Sequence, residues 1–262
     1  MELFVRNIPP APEQGLRGYF ATLLRHFGPQ GWWPARTRLE VILGAILTQN
    51  TSWRNAARAV AGLRNAGLLN LPKLSRASRA EIEACIRPAG FYRQKAATIR
   101  NLLAWLSASS AGSLRKLFAR PAEELRQSLL AIKGFGPETV DAILLYAGNK
   151  PFFVADAYTR RVLARHGMVA KSADYATVQQ FLHGHLPRDP ALYSEFHALL
   201  VEAGKRYCKR RAPDCLGCPL QPFLAPRIRV QGIVSTQWQE IEPRSGTRSS
   251  TLYKAAPPTR TV

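Results

Sequence analysis

The sequence predicts an all-α fold, and three observations support that prediction. Over most of the chain apolar residues recur at intervals of three and four, as in the run from Leu39 to Leu47. Strand-like alternation of polar and apolar residues is scarce. Turn signals such as Gly-Pro, Asn-Ala-Gly and Pro-Ala-Gly separate the helical stretches. The expected helices lie near 15–27, 38–49, 53–66, 78–86, 91–107, 121–132, 137–147, 156–166, 173–183 and 190–207.

An excess of positive charge points to a polyanionic partner. Lys and Arg number 37 against 17 Asp and Glu, which gives a formal net charge of +20. Such a balance favours nucleic acid first and an acidic membrane surface second. Residues 225–262 are rich in Pro, Ser, Thr and Arg, which is typical of a disordered tail, but they contribute only +4. The charge therefore belongs mainly to the part that we expect to fold.

Length and hydropathy set further limits. A chain of 262 residues is long enough for one or two domains. Because no apolar run approaches the roughly 18 residues of a membrane-spanning helix, we expect a soluble, globular protein. Of the two polyanionic partners we keep nucleic acid, and we expect no membrane as a partner. The start, MELFVRNIPPAPEQG, lacks the basic residues and apolar core of a secretory signal. The expected location is the cytoplasm.

The segment LLAIKGFGPETVDAILLYAG, residues 129–148, predicts a helix, a tight turn and a second helix. Gly134 and Gly136 allow positive φ and close backbone approach, and Phe135 can fix the turn to the core. Pro137 suits the first position of the second helix. Exposed amides at such a turn bind anions without reading bases, which suits a protein that holds a nucleic-acid backbone. A plain corner between two helices is the alternative interpretation.

Asp156 follows the apolar stretch PFFVA and stands at a predicted helix start. Asp is among the favoured N-cap residues, so a purely structural role explains it when it is considered alone. A functional carboxylate is the other hypothesis, because the turn at Gly134 to Gly136 precedes it by one helix.

These motifs resemble the helix-hairpin-helix and Gly/Pro-Asp signature of the endonuclease III superfamily of DNA glycosylases. Two further segments carry the resemblance, LGAILTQNTSW (43–53) and RPAGFYRQKAATI (87–99). The resemblance implies two helical domains that flank a DNA-binding cleft, and it implies a monomer that acts on double-stranded DNA in the nucleoid. We expect the domains at 38–150 and at 1–37 plus 151–224. Asp156 matches the catalytic carboxylate, which stabilises positive charge on the sugar and orients the attacking water.

Position 138 bears on the type of glycosylase. Bifunctional members of this family carry a lysine two residues beyond the second glycine of the hairpin, and that lysine forms a Schiff base with the sugar. Here the position is Glu138, and a carboxylate forms no imine. We therefore expect a monofunctional enzyme with weak or absent lyase activity. Alternatively, Glu138 only stabilises the helix, because an acidic residue in the first turn interacts favourably with the helix dipole.

The sequence Trp32-Trp33-Pro34, followed by LEVILGAILTQNTSW, is similar to the 3-methyladenine glycosylase III branch of the superfamily. This resemblance implies a pocket for an alkylated purine, which stacks well on indole rings because it is cationic or electron-poor. The pocket candidates are Trp33, Pro34, Trp53 and Glu138. Each tryptophan alternatively fills the core.

Three other residues match positions of the family. Lys205 falls where this branch has a pocket lysine, which is sometimes carbamylated. We therefore expect Lys205 to be a catalytic residue. Alternatively, Lys205 is a surface charge that faces a DNA phosphate. Asn50 matches the residue that fills the space left by the extruded nucleotide, and Gln49 is expected to share this role. An Asn that ends a helix is the ordinary explanation for position 50.

Three cysteines, Cys208, Cys215 and Cys218, resemble the beginning of the family's C-terminal [4Fe–4S] loop. The fourth cysteine is expected at position 224, which is Leu224. We expect a [4Fe–4S] cluster with another fourth ligand. The alternatives are a loop without a metal, a C-terminal segment from about Pro219 that does not descend from the family sequence, and a zinc site. The loop also carries Lys209 and Arg210, which together with Gly134, Phe135 and Gly136 are expected to contact DNA.

The leading hypothesis is thus a DNA glycosylase that releases alkylated purines. One rival is an endonuclease III-like glycosylase for oxidised pyrimidines or mismatched bases. A second rival is a DNA-binding protein that keeps the hairpin and has lost base excision, which the incomplete cysteine motif favours.

Overall fold

The computed structural model describes residues 12–224, and its regular elements there are all helical, which confirms the predicted fold class. The α-helices of this part are α1 (Pro12–Phe27), α2 (Arg38–Thr48), α3 (Trp53–Asn65), α4 (Leu71–Arg76), α5 (Arg79–Ile86), α6 (Tyr92–Ser110), α7 (Leu114–Ala119), α8 (Ala122–Leu130), α9 (Pro137–Ala142), α10 (Ala157–Arg165), α11 (Tyr175–His185) and α12 (Pro190–Arg206). A π-helical turn at Ile143–Ala147 continues α9, and 3₁₀ turns lie at Arg87–Ala89 and Gln221–Phe223.

Two short helices, α4 and α7, were not predicted. Each has six residues, which is less than two turns and too short to show a helical repeat of apolar residues. Both nevertheless begin at a side-chain cap: Asn70 accepts from the backbone N–H of Lys73, and Ser113 accepts from that of Lys116. Capping residues were therefore the available signal, and hydrophobic periodicity was not.

The helices pack as two sets around a continuous apolar core. In one set α2 packs against α3, α6, α9 and the π-helical turn, while α3 packs against α5. In the other set α12 packs against α1 and α10, and α11 also contacts α1. Contacts between α12 and the π-helical turn join the sets. The predicted domain boundaries at 38–150 and 151–224 stay a prediction.

A buried carboxylate fixes the junction of α8, α9 and α11. Asp141 is fully buried and accepts two hydrogen bonds from the guanidinium of Arg126, at 2.7 and 3.1 Å. The hydroxyl of Tyr175 and the amide of Gln179 donate to the same carboxylate, at 2.8 and 2.7 Å. Both oxygens of Asp141 are thus occupied by donors, as a buried charge requires.

Within residues 12–224 no helix combines the length and the apolar character needed to cross a bilayer. The predicted basic tail at 225–262 and the first eleven residues lie outside the described part of the chain.

Candidate active site

The predicted hairpin lies between α8 and α9. Gly134 has a φ of +101°, and a Cβ at this position would collide with the side chain of Thr98 in α6. Glycine is therefore required for both conformation and space. The expectation of positive φ at Gly136 was wrong: its φ is −106°, an extended conformation suited to the N-cap of α9. Pro137 opens that helix, and Phe135 is buried, as expected.

Gln49 and Asn50 end α2 beside this hairpin, but they point differently. The Gln49 side-chain amide donates to the carbonyl of Gly134 at 3.1 Å and to the hydroxyl of Thr139 at 2.9 Å. Asn50 is exposed and has a φ of +51°. Gln49 therefore braces the hairpin, and of the two residues Asn50 is the one that projects to solvent.

The buried side chain of Lys95 links the end of α2, beside the hairpin, to the turn that precedes α6. The ammonium of Lys95 donates to the carbonyls of Leu47 and Ala89, at 2.9 and 2.8 Å, and burial lowers its pKa. Ala89 precedes Phe91, whose ring is 65% exposed on a backbone with a φ of +46°. The sequence analysis missed both Lys95 and Phe91. An exposed aromatic side chain on a strained backbone marks a functional position more often than a structural one.

Asp156 is the N-cap of α10, where its carboxylate accepts the backbone N–H of Thr159 at 2.8 Å. This is the structural role that sequence alone explains, and Asp174 and Asp189 cap α11 and α12 in the same manner. The surroundings of Asp156 are different. Its side chain is only 15% exposed, and aromatic and ionisable groups surround it.

His197 and Tyr146 form a chain that ends at this carboxylate. Nε2 of His197 lies 3.7 Å from Oδ2 of Asp156 and has no hydrogen-bond partner within the described residues. Nδ1 of His197 lies 2.5 Å from the hydroxyl of Tyr146, whose pKa burial raises. Burial also acts to raise the pKa of Asp156, but His197 and the hydrogen bond from Thr159 outweigh it, so that the pKa of this carboxyl lies below its ordinary value. The carboxylate is therefore ionised at neutral pH.

Neither His197 nor Tyr146 was found by the sequence analysis. Both sit in apolar helical stretches, where a lone His or Tyr is typical of the core.

An aromatic cluster lies beside this chain. The ring of Trp33 is 5.2 Å from the rings of both Tyr146 and Trp53, and the Trp53 ring is 5.1 Å from that of Trp32. Gly44 leaves room for the Trp33 side chain, because a Cβ at position 44 would come within 3.2 Å of the indole. The predicted pair Trp33 and Trp53 therefore shares one wall, which also includes Tyr146 and Trp32.

The remaining predicted pocket residues differ in placement. The ammonium of Lys205 lies 5.5 Å from the centre of the Trp32 ring and 3.7 Å from the carboxylate of Glu202. Pro34 is exposed. Glu138 reaches solvent in the first turn of α9, yet partial desolvation, and next the negative charge of Asp156, raise the pKa of its carboxyl. Glu138 thus faces Asp156.

The cysteine loop follows α12. Cys208, Cys215 and Cys218 line one cavity and form no disulfide. Leu224 lines the same cavity and is buried. No three His, Cys, Asp or Glu side chains between residues 12 and 224 are placed to bind a single metal ion. Three free thiols around one cavity are nevertheless a suitable donor set for an iron–sulfur cluster, which binds each thiolate at a different iron.

The loop is fixed to α10 through its backbone. Arg165 donates to the carbonyls of Lys209 and Arg210, at 2.6 and 3.1 Å, and to the sulfur of Cys208 at 3.2 Å. The side chains of Lys209 and Arg210 are exposed. Arg165 therefore holds the loop with two cationic side chains at the surface.

Together these features define a class of protein. A hairpin whose glycine has a positive φ lies beside a largely buried carboxylate and an aromatic wall, on a scaffold whose regular elements between residues 12 and 224 are helical. This is the arrangement of helix-hairpin-helix DNA glycosylases.

Comparison with known proteins supports this class. The chain belongs to the HhH-GPD superfamily of base excision DNA repair proteins, which matches residues 43–188. A protein of Methanocaldococcus jannaschii with the provisional name of DNA repair glycosylase is 40% identical over 206 residues, which are 78% of this chain and 93% of the relative. Endonuclease III of Sulfolobus acidocaldarius is 29% identical over 189 residues, covering 72% of this chain and 82% of the relative.

Solved structures agree. The crystal structure of H. pylori 3-methyladenine DNA glycosylase bound to 1,N6-ethenoadenine aligns with a TM-score of 0.65 and 28% identity, covering 74% of this chain and 97% of that one. A non-covalent complex of endonuclease III with DNA aligns with a TM-score of 0.70 and 22% identity, covering 83% and 98%. At that identity the second match shows the fold alone. Its family therefore identifies the protein as a DNA glycosylase of base excision repair.

Proposed function

We propose that this glycosylase is monofunctional and hydrolyses the N-glycosidic bond of alkylated purines in double-stranded DNA. The observation that carries the proposal is the position of Asp156: an ionised, largely buried carboxylate beside an aromatic wall, with Glu138 in place of an imine-forming lysine. The 28% identity to the H. pylori 3-methyladenine enzyme supports this substrate class.

Binding to DNA begins at the backbone. Backbone N–H groups at the hairpin donate hydrogen bonds to a phosphate group, and the net charge of +20 adds attraction that does not depend on base sequence. The target base must leave the stack before its glycosidic bond is accessible. Asn50 and Phe91 are exposed on neighbouring corners joined by Lys95, which supports a role for them in filling the space that the base leaves.

Selection of the base falls to the aromatic wall. An alkylated purine carries positive charge or is electron-poor, and it stacks on the faces of Trp33 and Trp53 more strongly than an unmodified base. Lys205 lies over the ring of Trp32 and so borders this wall. Such a base is already a good leaving group, so that the pocket needs little acid catalysis.

Asp156 then acts on the sugar. As the bond from the sugar to the base breaks, the electron pair leaves with the base and positive charge develops on the deoxyribose. The ionised carboxylate stabilises that charge and orients the water that attacks the anomeric carbon, and the proton of the water passes to the carboxylate or to solvent. His197, with Nε2 at 3.7 Å, helps to keep Asp156 ionised, and Tyr146 orients the imidazole.

The loop of Cys208, Cys215 and Cys218 is proposed to hold a [4Fe–4S] cluster with a structural role. When bound, the cluster would fix the loop that carries Lys209 and Arg210 against the DNA backbone. It takes no part in the hydrolysis.

The experiment is an excision assay with the purified full chain on duplexes that each contain one modified base. The panel includes 3-methyladenine, an oxidised pyrimidine and a mismatched thymine, and the Asp156→Asn variant is run beside the native protein. We expect release of 3-methyladenine by the native protein and release slower by about 100- to 1000-fold by the variant. Preferential release of the pyrimidine or thymine would replace the alkylpurine proposal, and binding without any release would support the DNA-binding rival.

Borohydride treatment during the reaction with abasic DNA tests whether the enzyme is monofunctional. No covalent adduct is expected with native protein, because position 138 carries a carboxylate. Efficient trapping would contradict the monofunctional assignment.

A further inference from the structure

The cavity beneath the cysteine loop has a fourth donor that the sequence motif does not include. His166, the residue that ends α10, lines the same cavity as Cys208, Cys215 and Cys218. Leu224, at the position where the motif expects a thiol, contributes only hydrocarbon to the lining. An imidazole therefore stands among three thiols where a fourth ligand is missing.

The ring of His166 is held in a definite orientation. Its Nδ1 lies 2.6 Å from the hydroxyl oxygen of Tyr19, and the side chain of Tyr19 is buried in α1. When Nδ1 carries the proton and donates it to this oxygen, Nε2 is left as the nitrogen with a free lone pair. Metal-binding histidines commonly use one nitrogen as ligand while the other donates a hydrogen bond that fixes the ring.

The neighbouring residue supports the same site. Arg165 donates from one guanidinium nitrogen to the sulfur of Cys208 at 3.2 Å, which places positive charge against a potential thiolate. Arg161, one turn earlier, donates to the carbonyl of Cys208 at 2.6 Å. The end of α10 thus supplies the imidazole and also fixes the first cysteine of the loop.

We propose that His166 is the fourth ligand of the cluster held by Cys208, Cys215 and Cys218, with Leu224 as an apolar cover. The donors need not converge on one point, because a four-iron cluster binds each protein ligand at its own iron. Imidazole replaces thiolate on iron in other iron–sulfur centres, where it raises the reduction potential. This inference rests on the proposed cluster but is independent of the substrate.

The test is made on the full chain, reconstituted without oxygen with ferric and ferrous iron and sulfide and then reduced with dithionite. Iron and acid-labile sulfide are measured first. Pulsed electron paramagnetic resonance on protein with ¹⁵N-labelled histidine then detects a histidine nitrogen bound to the cluster. We expect this nitrogen coupling in the native protein and its loss in His166→Cys, which keeps the iron because it supplies a thiolate instead.

Three further variants make the result specific. His166→Ala is expected to lose iron, and the double variant His166→Ala with Leu224→Cys is expected to regain it, because the original motif is restored. His185→Ala is the matched control: His185 donates within α11 and does not line the cavity, so its spectrum should equal that of the native protein.

Each unfavourable outcome is distinguishable. A native protein that binds iron and sulfide but lacks the nitrogen coupling overturns the ligand assignment and leaves the cluster in place. Full iron content in His166→Ala would likewise overturn the assignment of His166 as a ligand. Native protein that takes up no iron overturns both the ligand assignment and the proposed cluster. The excision assay above tests the proposed function separately.

Discussion

Two aspartates on neighbouring elements of this protein differ in how far hydrogen-bond donors already occupy their carboxylates. Asp141 is fully buried, and it receives donors from Arg126, Tyr175 and Gln179. Asp156 receives one backbone N–H, from Thr159, and faces an imidazole nitrogen at 3.7 Å. The first carboxylate is saturated by donors, whereas the second keeps capacity to accept more.

The difference teaches that charge and burial alone do not identify a functional acid. A saturated carboxylate stabilises the fold because each of its lone pairs already has a partner. A carboxylate with unused acceptor capacity at the edge of a pocket can bind a water or a developing positive charge. The following predictions test whether these two roles are separable.

The largest effect is expected on stability at Asp141. Asp141→Asn leaves the guanidinium of Arg126 buried without its counter-charge, which costs about 3–5 kcal/mol of the free energy of unfolding. Urea denaturation followed by circular dichroism measures this loss. Excision at a temperature where the variant is folded should stay near the native rate. A stable variant with slow excision would reverse the roles assigned to the two carboxylates.

Next in size is the loss of activity at Asp156. Asp156→Asn keeps a good N-cap, so that the free energy of unfolding should hardly change. The single-turnover rate of excision should fall about 100- to 1000-fold, because the amide cannot stabilise positive charge on the sugar. Asp174→Asn is the matched control, since Asp174 caps α11 in the same way and is more exposed. Equal rates for both variants would remove Asp156 from the chemistry.

The aromatic wall should show a smaller effect, confined to base selection. Trp33→Leu removes one stacking face, and stacking on a base contributes about 1–3 kcal/mol. We expect weaker binding of duplex that contains the alkylated base, by about tenfold, with little change for undamaged duplex. Trp105→Leu, in a tryptophan of α6, is the control for general loss of packing. An equal loss for both duplexes would indicate a structural role for Trp33.

His197 offers a test through pH. The native pKa of Asp156 lies below its ordinary value of 3.8, so the carboxylate stays ionised and excision should be flat from about pH 5 to pH 8. Without the imidazole, burial remains and raises that pKa. In His197→Phe excision should therefore decline toward the acid end of this range. Tyr146→Phe keeps the imidazole and should keep the flat profile; a flat profile for both would exclude the positioning role of His197.

The smallest effect is expected at Gln49, which braces the hairpin. Gln49→Ala removes two hydrogen bonds at a partly exposed position, which together contribute about 1 kcal/mol. Affinity for undamaged duplex should fall a few-fold in a fluorescence titration, because the hairpin is less fixed. Gln127→Ala, in α8, changes an exposed amide of the same type and should have no effect.

The sequence alone predicted the features that depend on residues close together in the chain. The hairpin at Gly134 and the N-cap at Asp156 depend on residues within a few positions of each other, and both were predicted. His197 and Lys95 were missed because their partners lie in other helices: Nε2 of His197 faces Asp156, and the ammonium of Lys95 binds a carbonyl at the end of α2. Only packing brings such groups together, so periodicity places them simply in the core.

The same limit applies to the cysteine loop. The spacing of Cys208, Cys215 and Cys218 is visible in the sequence, and so is the substitution at Leu224. The neighbourhood of His166 is not visible, because it depends on where α10 ends relative to a loop that begins after α12.

One turn of α6 carries both the ammonium of Lys95 and the side chain of Thr98 that lies against Gly134. The corners at Asn50, at Phe91 and at the hairpin therefore rest on a common support and cannot shift independently. Under the function proposed above, such a support would leave the DNA to bend rather than the protein. Sites where stacking is already weakened bend at the lowest cost.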